Sequence, residues 1–207
     1  MLRRYWNLHK NKILAVGFAS LAIAVFLAEH VFITVQFGWG YYKNSPFTVF
    51  NILLTLFVYV FLLVTNIQND DRAYSAIHVF LFFIVYDMVW AFLPTGFNVI
   101  SAFQVPWPWF LFSIIMAIGV VATGVFGVFS YINLFRYRIG RIAFEKTWRF
   151  IWLFTLSFVA YSLVAILLMA YMLGGTGTAV TYAVLAFLPD ALLALSVLFT
   201  VLRLRRF

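Results

Sequence analysis

The chain has 207 residues, of which 66% are hydrophobic and 10% charged, and its mean hydropathy is +1.04. That composition excludes an ordinary soluble domain, and the absence of Cys excludes disulfides, thiolate metal sites and thiol catalysis. The net charge of +8 does not point to nucleic acid, because the basic residues flank apolar runs.

A run of about 20 apolar residues is long enough to cross the oil of a bilayer. Six such runs follow one another, near 13–36, 47–66, 74–95, 107–131, 151–173 and 179–202, the last interrupted by Pro189–Asp190. The first resembles a secretory signal, with Arg3, Arg4, Lys10 and Lys12 before an apolar stretch, but is read as a retained span. The connections are short. Phe37–Pro46 is rich in Gly and aromatic residues, Ile67–Arg72 carries Asn69, Asp70 and Asp71, and Gly96–Pro106 is polar. Phe135–Phe150 is basic and is expected to begin as an extension of the fourth span, with Arg141, Glu145 and Arg149 as an i, i+4, i+8 ladder. Gly174–Gly177 is a turn. The expected fold is all-α: a single membrane domain, a bundle of six transmembrane helices.

Lys and Arg set the orientation. The N-terminal segment, the loop from Arg136 to Arg149, and Arg203, Arg205 and Arg206 at the C-terminus share one side if there are six spans, while the other side has Lys43. Both termini are therefore expected in the cytoplasm of a bacterial-type plasma membrane. Trp39, Tyr41, Tyr42, Trp107 and Trp109 would mark the outer interface, and Tyr5, Trp6, Tyr137, Trp148 and Trp152 the inner one.

Lipid gives apolar faces no reason to associate, so small and polar residues mark the helix seams. In the first span these are Ala15, Ala19, Ala22, Phe26, Glu29 and Ile33. In the second they are Thr48, Asn51, Thr55 and Tyr59, and in the third Ala76, Phe80, Phe83, Asp87, Ala91 and Pro94. The fourth has Ser113, Ala117 and Gly124 with Gly127 nearby, and the sixth Ala179, Ala183, Ala186, Asp190 and Ala194.

Glu29, Asp87 and Asp190 thus face inward, with no Lys or Arg inside the spans. Burial and mutual repulsion both oppose their ionisation, so they pair, take up a proton or face water. Two roles stay open: interhelical glue, or an outward-opening site for a cation, a proton or a cationic solute. The candidate binding residues are Glu29, Asn51, Asp87, Asp190, Tyr59 and Trp39, the last as part of an aromatic outer loop that would lie over the cavity. Pro189 would free a backbone carbonyl beside Asp190 and break the last helix. His30 points about 100° from Glu29, so the pair makes a poor metal clamp, and neither a metal nor a cofactor is expected. No phosphate-binding loop, nucleophile elbow, zinc-protease or dinucleotide motif is present. An intramembrane Asp87–Asp190 dyad would lack a flanking Gly, so an enzyme is the least favoured class.

In layout the chain resembles the substrate-binding subunits of energy-coupling-factor transporters, with six spans, an inside N-terminus, and Ala15-x-x-x-Ala19 on the first helix. That resemblance implies Ala15 and Ala19 as a face for a partner protein. The expected partners are the lipid bilayer and other membrane subunits, through Ala15, Ala19 and the loop from Arg136 to Arg149. The expected function is a solute-binding or transport subunit. The alternative is a non-catalytic accessory subunit of a larger membrane complex.

Overall fold

The computed structural model describes residues 2–39, 46–68, 72–101 and 107–204, with side chains described for 9–36, 38–39, 49–68, 72–86, 88, 110–111 and 113–204. The order is α1 (Leu2–Phe37), α2 (Pro46–Gln68), α3 (Ala73–Ser101), α4 (Trp107–Arg138), α5 (Phe144–Met172) and α6 (Gly177–Arg203). Five of these helices carry segments long and apolar enough to cross a membrane, in α1, α2, α4, α5 and α6. In α3 the apolar stretch with described side chains is shorter, Ala73–Tyr86. The chain is thus an all-helical protein built for an integral membrane setting.

The helices overrun the apolar runs, because hydrogen bonding continues past the oil while hydropathy stops at it. The α1 helix begins at Leu2, and α3 passes Pro94 to reach Ser101, where a polar connection was expected from Gly96. The basic segment after the fourth span is mostly helix, since α4 extends to Arg138 and α5 begins at Phe144. Arg141 lies in the turn between them, so the expected three-residue ladder reduces to Glu145 and Arg149 on α5. Glu145 sits in the first turn of α5, where the helix dipole favours an acid.

Two turns show why Gly is needed. The Arg141 amide donates to the Arg136 carbonyl and the Gly140 amide to Tyr137, with Gly140 at φ 72°. After α5, the Gly175 amide donates to Ala170 and the Gly174 amide to Tyr171, with Gly174 at φ 87°. Both are Schellman caps, which place a residue in the left-handed region where a Cβ is unfavourable. Thr176 then caps α6 by accepting the Ala179 amide at 3.2 Å.

The chain divides into two compact units, residues 1–77 with 184–207, and residues 78–183. In the first unit, Ala15, Ala19, Ala22, Phe26 and Ile33 form the buried stripe of α1. The Ser196 hydroxyl donates to the Ala15 carbonyl at 2.7 Å, a bond that small side chains on α1 allow. This corrects the expectation that Ala15 and Ala19 dock a partner. Both are fully buried within the chain, so that face is already occupied. A polar ladder continues along the same unit. Thr200 Oγ1 lies 2.7 Å from the Ser196 carbonyl and 3.1 Å from Asn66 Oδ1, sharing one proton between two acceptors. The Asn66 amide donates to Leu62, and the Tyr74 hydroxyl donates to the Leu204 carbonyl at the end of α6.

In the second unit α4 and α5 form a hairpin. The buried line of α4 is Met116, Val120, Thr123, Gly127, Ser130 and Leu134, against Ile151, Phe154, Phe158, Ser162 and Ala165 on α5. Of the expected Ser113, Ala117 and Gly124 with Gly127 nearby, Gly127 lies on this line, Gly124 faces Met88 of α3, and Ser113 and Ala117 are half-buried. Gly119 sits against the Tyr161 ring, where an added Cβ would overlap it.

Candidate functional site

Three helices of the first unit bring polar groups together within their apolar stretches. From α2, the Tyr59 hydroxyl donates to Asp190 Oδ1 of α6. From α1, Glu29 lies close enough to Asp190 for their carboxyl groups to interact electrostatically. Phe26, one turn before Glu29 and His30, packs its ring 5.4 Å from Tyr59 and edge-on to His30 at 4.4 Å. The ring contacts hold Tyr59 in place, and Tyr59 is 1% exposed. Glu29 and Asp190 are half-buried.

The sequence alone explains the local placement. Ala22, Phe26, Glu29 and Ile33 recur at helical spacing, and the seam they form carries Glu29 inward. Tyr59 follows Val58 and precedes Leu62 on the buried side of α2. Asp190 lies in the most enclosed of the helices, one position after Pro189. The expected break at that Pro does not occur: α6 is continuous from Gly177 to Arg203. Pro189 has no N–H, and the carbonyl it leaves without a helical donor is that of Leu185, four residues before it.

The expected site residues divide into three groups. Glu29, Tyr59 and Asp190 are brought together. Asn51 is half-buried but lies two turns before Tyr59 on α2, about 12 Å along the axis. Trp39 follows α1 and is 71% exposed. The Asp87 side chain lies outside the described residues, as do those of Thr48, Ala91 and Pro94. His30 was not expected on a seam, yet it is half-buried against Phe26.

Asn66, Ser196 and Thr200 were missed as a polar seam. The signal was present, since Ser196, Thr200 and Arg203 recur at i, i+4 and i+7 on α6. Among the described residues no group of three His, Asp or Glu could hold a metal ion.

Chemically, the cluster offers a phenol bonded to one carboxyl, with a second acid within electrostatic range. No Lys or Arg lies on α1 between Lys12 and Phe37, on α2, or on α6 before Arg203. Such a pair of acids is costly to keep doubly ionised in a low-dielectric setting. Its negative charge is offset by hydrogen bonding, by a proton or by a cation. No protein-family model matches the chain, and neither a curated protein nor a solved structure matches it.

Proposed function

We propose that the chain is a solute-binding or transport subunit of a membrane, which takes up a proton, a cation or a cationic solute at Glu29, Tyr59 and Asp190. In this proposal six helices span a bacterial-type plasma membrane, both termini are cytoplasmic, and a further membrane subunit works with it. The placement of Arg3, Arg4, Lys10, Lys12 and the basic residues from Arg136 to Arg149 supports that orientation. One observation carries the functional part. Two acids of different helices, Glu29 on α1 and Asp190 on α6, lie within electrostatic range of each other in apolar stretches whose sequence contains no Lys or Arg, and the Tyr59 hydroxyl of a third helix donates to Asp190.

The roles follow from the geometry. Tyr59 orients Asp190 and shields one of its oxygens from ionic contact. Glu29 supplies the second carboxyl and so sets the charge available to a cation. Exchange of one positive charge at this pair would alter the attraction between α1 and α6. The test is flux in proteoliposomes, with protons, sodium, potassium and a quaternary ammonium ion as probes. Wild-type flux of one probe that is lost in Asp190→Asn and Glu29→Gln supports the proposal. Flux of none of them, or flux that both variants retain, sinks it.

A second proposal, a non-catalytic accessory subunit, is favoured by the Tyr59–Asp190 bond acting as a tie between α2 and α6. In that case the same variants lose stability and leave every probe unmoved.

A further inference from the structure

We propose that the second unit holds one anionic phospholipid, a short segment of one acyl chain seated in a groove between α3 and α4 and its phosphate at the basic end of α4. The groove has a volume of about 120 Å³ and is lined by Leu81, Phe82, Val85, Val128 and Tyr131. No polar atom contributes to its surface. It opens outward within the apolar segments, where Phe82 is 67% exposed and Val128 41%.

Its shape follows from two contacts on either side. At one end Gly127 lets α4 approach α3, since a Cβ there would meet Val85 Cγ2 at 3.1 Å. Toward the other end the His78 ring stands edge-on to Tyr131 at 5.0 Å and to Phe135 at 6.5 Å, which keeps the helices apart. Small residues at one point and rings at the next leave a slot that protein does not fill. An apolar occupant suits a slot of that lining inside a membrane.

Charge at one end selects among lipids. Val128, Tyr131, Phe135 and Arg138 recur at i, i+3, i+7 and i+10, so Arg138 follows the groove on the same face of α4. It lies about 10 Å beyond Tyr131 along the axis, which is the step from acyl chain to headgroup. Arg138 is exposed, as are Arg136, Arg141, Lys146 and Arg149, and Glu145 is the single acid between residues 136 and 149. Tyr131, two turns before Arg138, is half exposed and suits the level where chain and headgroup meet. A zwitterionic headgroup brings a cation of its own to this cluster; an anionic one does not.

The experiment is native mass spectrometry of the full chain extracted from vesicles of equal phosphatidylglycerol and phosphatidylcholine. The expected result is one retained phosphatidylglycerol. Arg138→Gln lowers its retention about fivefold, the factor set by one basic residue near the headgroup. Val128→Trp, which fills the groove, abolishes retention of that lipid, and Leu167→Trp at an exposed position of α5 does not. Arg138 is exposed, so its variant tests the site even if Val128→Trp misfolds. Equal retention of the two lipids, or retention unchanged in Arg138→Gln, overturns the proposal. So does loss of a dimer in Val128→Trp with lipid retention intact, which would make the groove a contact between two copies.

Discussion

Thr200→Val and Thr123→Val remove the same hydroxyl from two fully buried positions, and only the first should lower stability. At Thr200 the hydroxyl lies 3.1 Å from Asn66 Oδ1 and 2.7 Å from the Ser196 carbonyl. Valine takes away that proton and leaves Asn66, itself fully buried, with an acceptor facing a methyl group. Polar pairs in membrane helices average about 0.6 kcal/mol, and a buried acceptor left without its donor costs about 1–3 kcal/mol. The expected loss is therefore roughly 1–2 kcal/mol. At Thr123 the hydroxyl has no hydrogen-bond partner among the described residues, so its desolvation goes uncompensated. Valine keeps the shape and should leave stability unchanged or raise it by up to about 1 kcal/mol. Reversible unfolding in mixed detergent micelles, followed by circular dichroism, measures both. Thr200→Ser retains the hydroxyl and should recover most of the loss. Equal effects at the two sites, or a neutral Thr200→Val, would refute the assignment of the ladder.

Tyr59→Phe removes the donor to Asp190 and should cost about 1 kcal/mol or more in the same assay, while changing the cation response of the chain. Ala19→Leu places a large side chain in a fully buried seam and should cost about 1–3 kcal/mol, whereas Leu21→Ala, at a half-exposed position, should stay within about 0.5 kcal/mol. Gly119→Ala drives a methyl into the Tyr161 ring and should lower thermal stability, seen as a reduced midpoint in micelles. Gly17→Ala meets no atom within 4 Å and should raise stability by up to about 1 kcal/mol through helix propensity.

Much of the first helix could be read from its residues. Outside the protein, oil accepts any apolar side chain, so the repeated Ala of Ala15, Ala19 and Ala22 had to answer to a neighbouring helix. The same logic placed Glu29, Tyr59 and Asp190 inward. It did not tell an internal neighbour from a separate protein: Ala15 and Ala19 are fully buried within the chain, and the Ala15 carbonyl accepts from Ser196. Helix ends were less visible. Hydropathy reports the thickness of oil, and α4 continues past it to Arg138 because its backbone bonds continue until Gly140 turns the chain. Small residues on α4 marked part of its packing, since Gly124 faces Met88 and Gly127 faces Val85 and Phe154, but they gave no sign that Met116 and Val120 pack inward beside them. Ser196 and Thr200 are weak signals by themselves, because a hydroxyl in a membrane helix is often satisfied by its own backbone. Pro189 suggested a broken helix, yet loss of one hydrogen bond is tolerated where neighbours enclose the turn.

The cation-site proposal stands or falls on whether Glu29 and Asp190 change their state when a cation or proton arrives. Infrared difference spectroscopy of the carboxyl stretching region, in reconstituted protein exposed to a cation or pH step, reads this directly. The account predicts a carboxyl band that shifts with the step, disappears in Asp190→Asn and is displaced in Tyr59→Phe. A carboxyl region that stays flat through each step, or one that responds identically in wild type and Asp190→Asn, contradicts it.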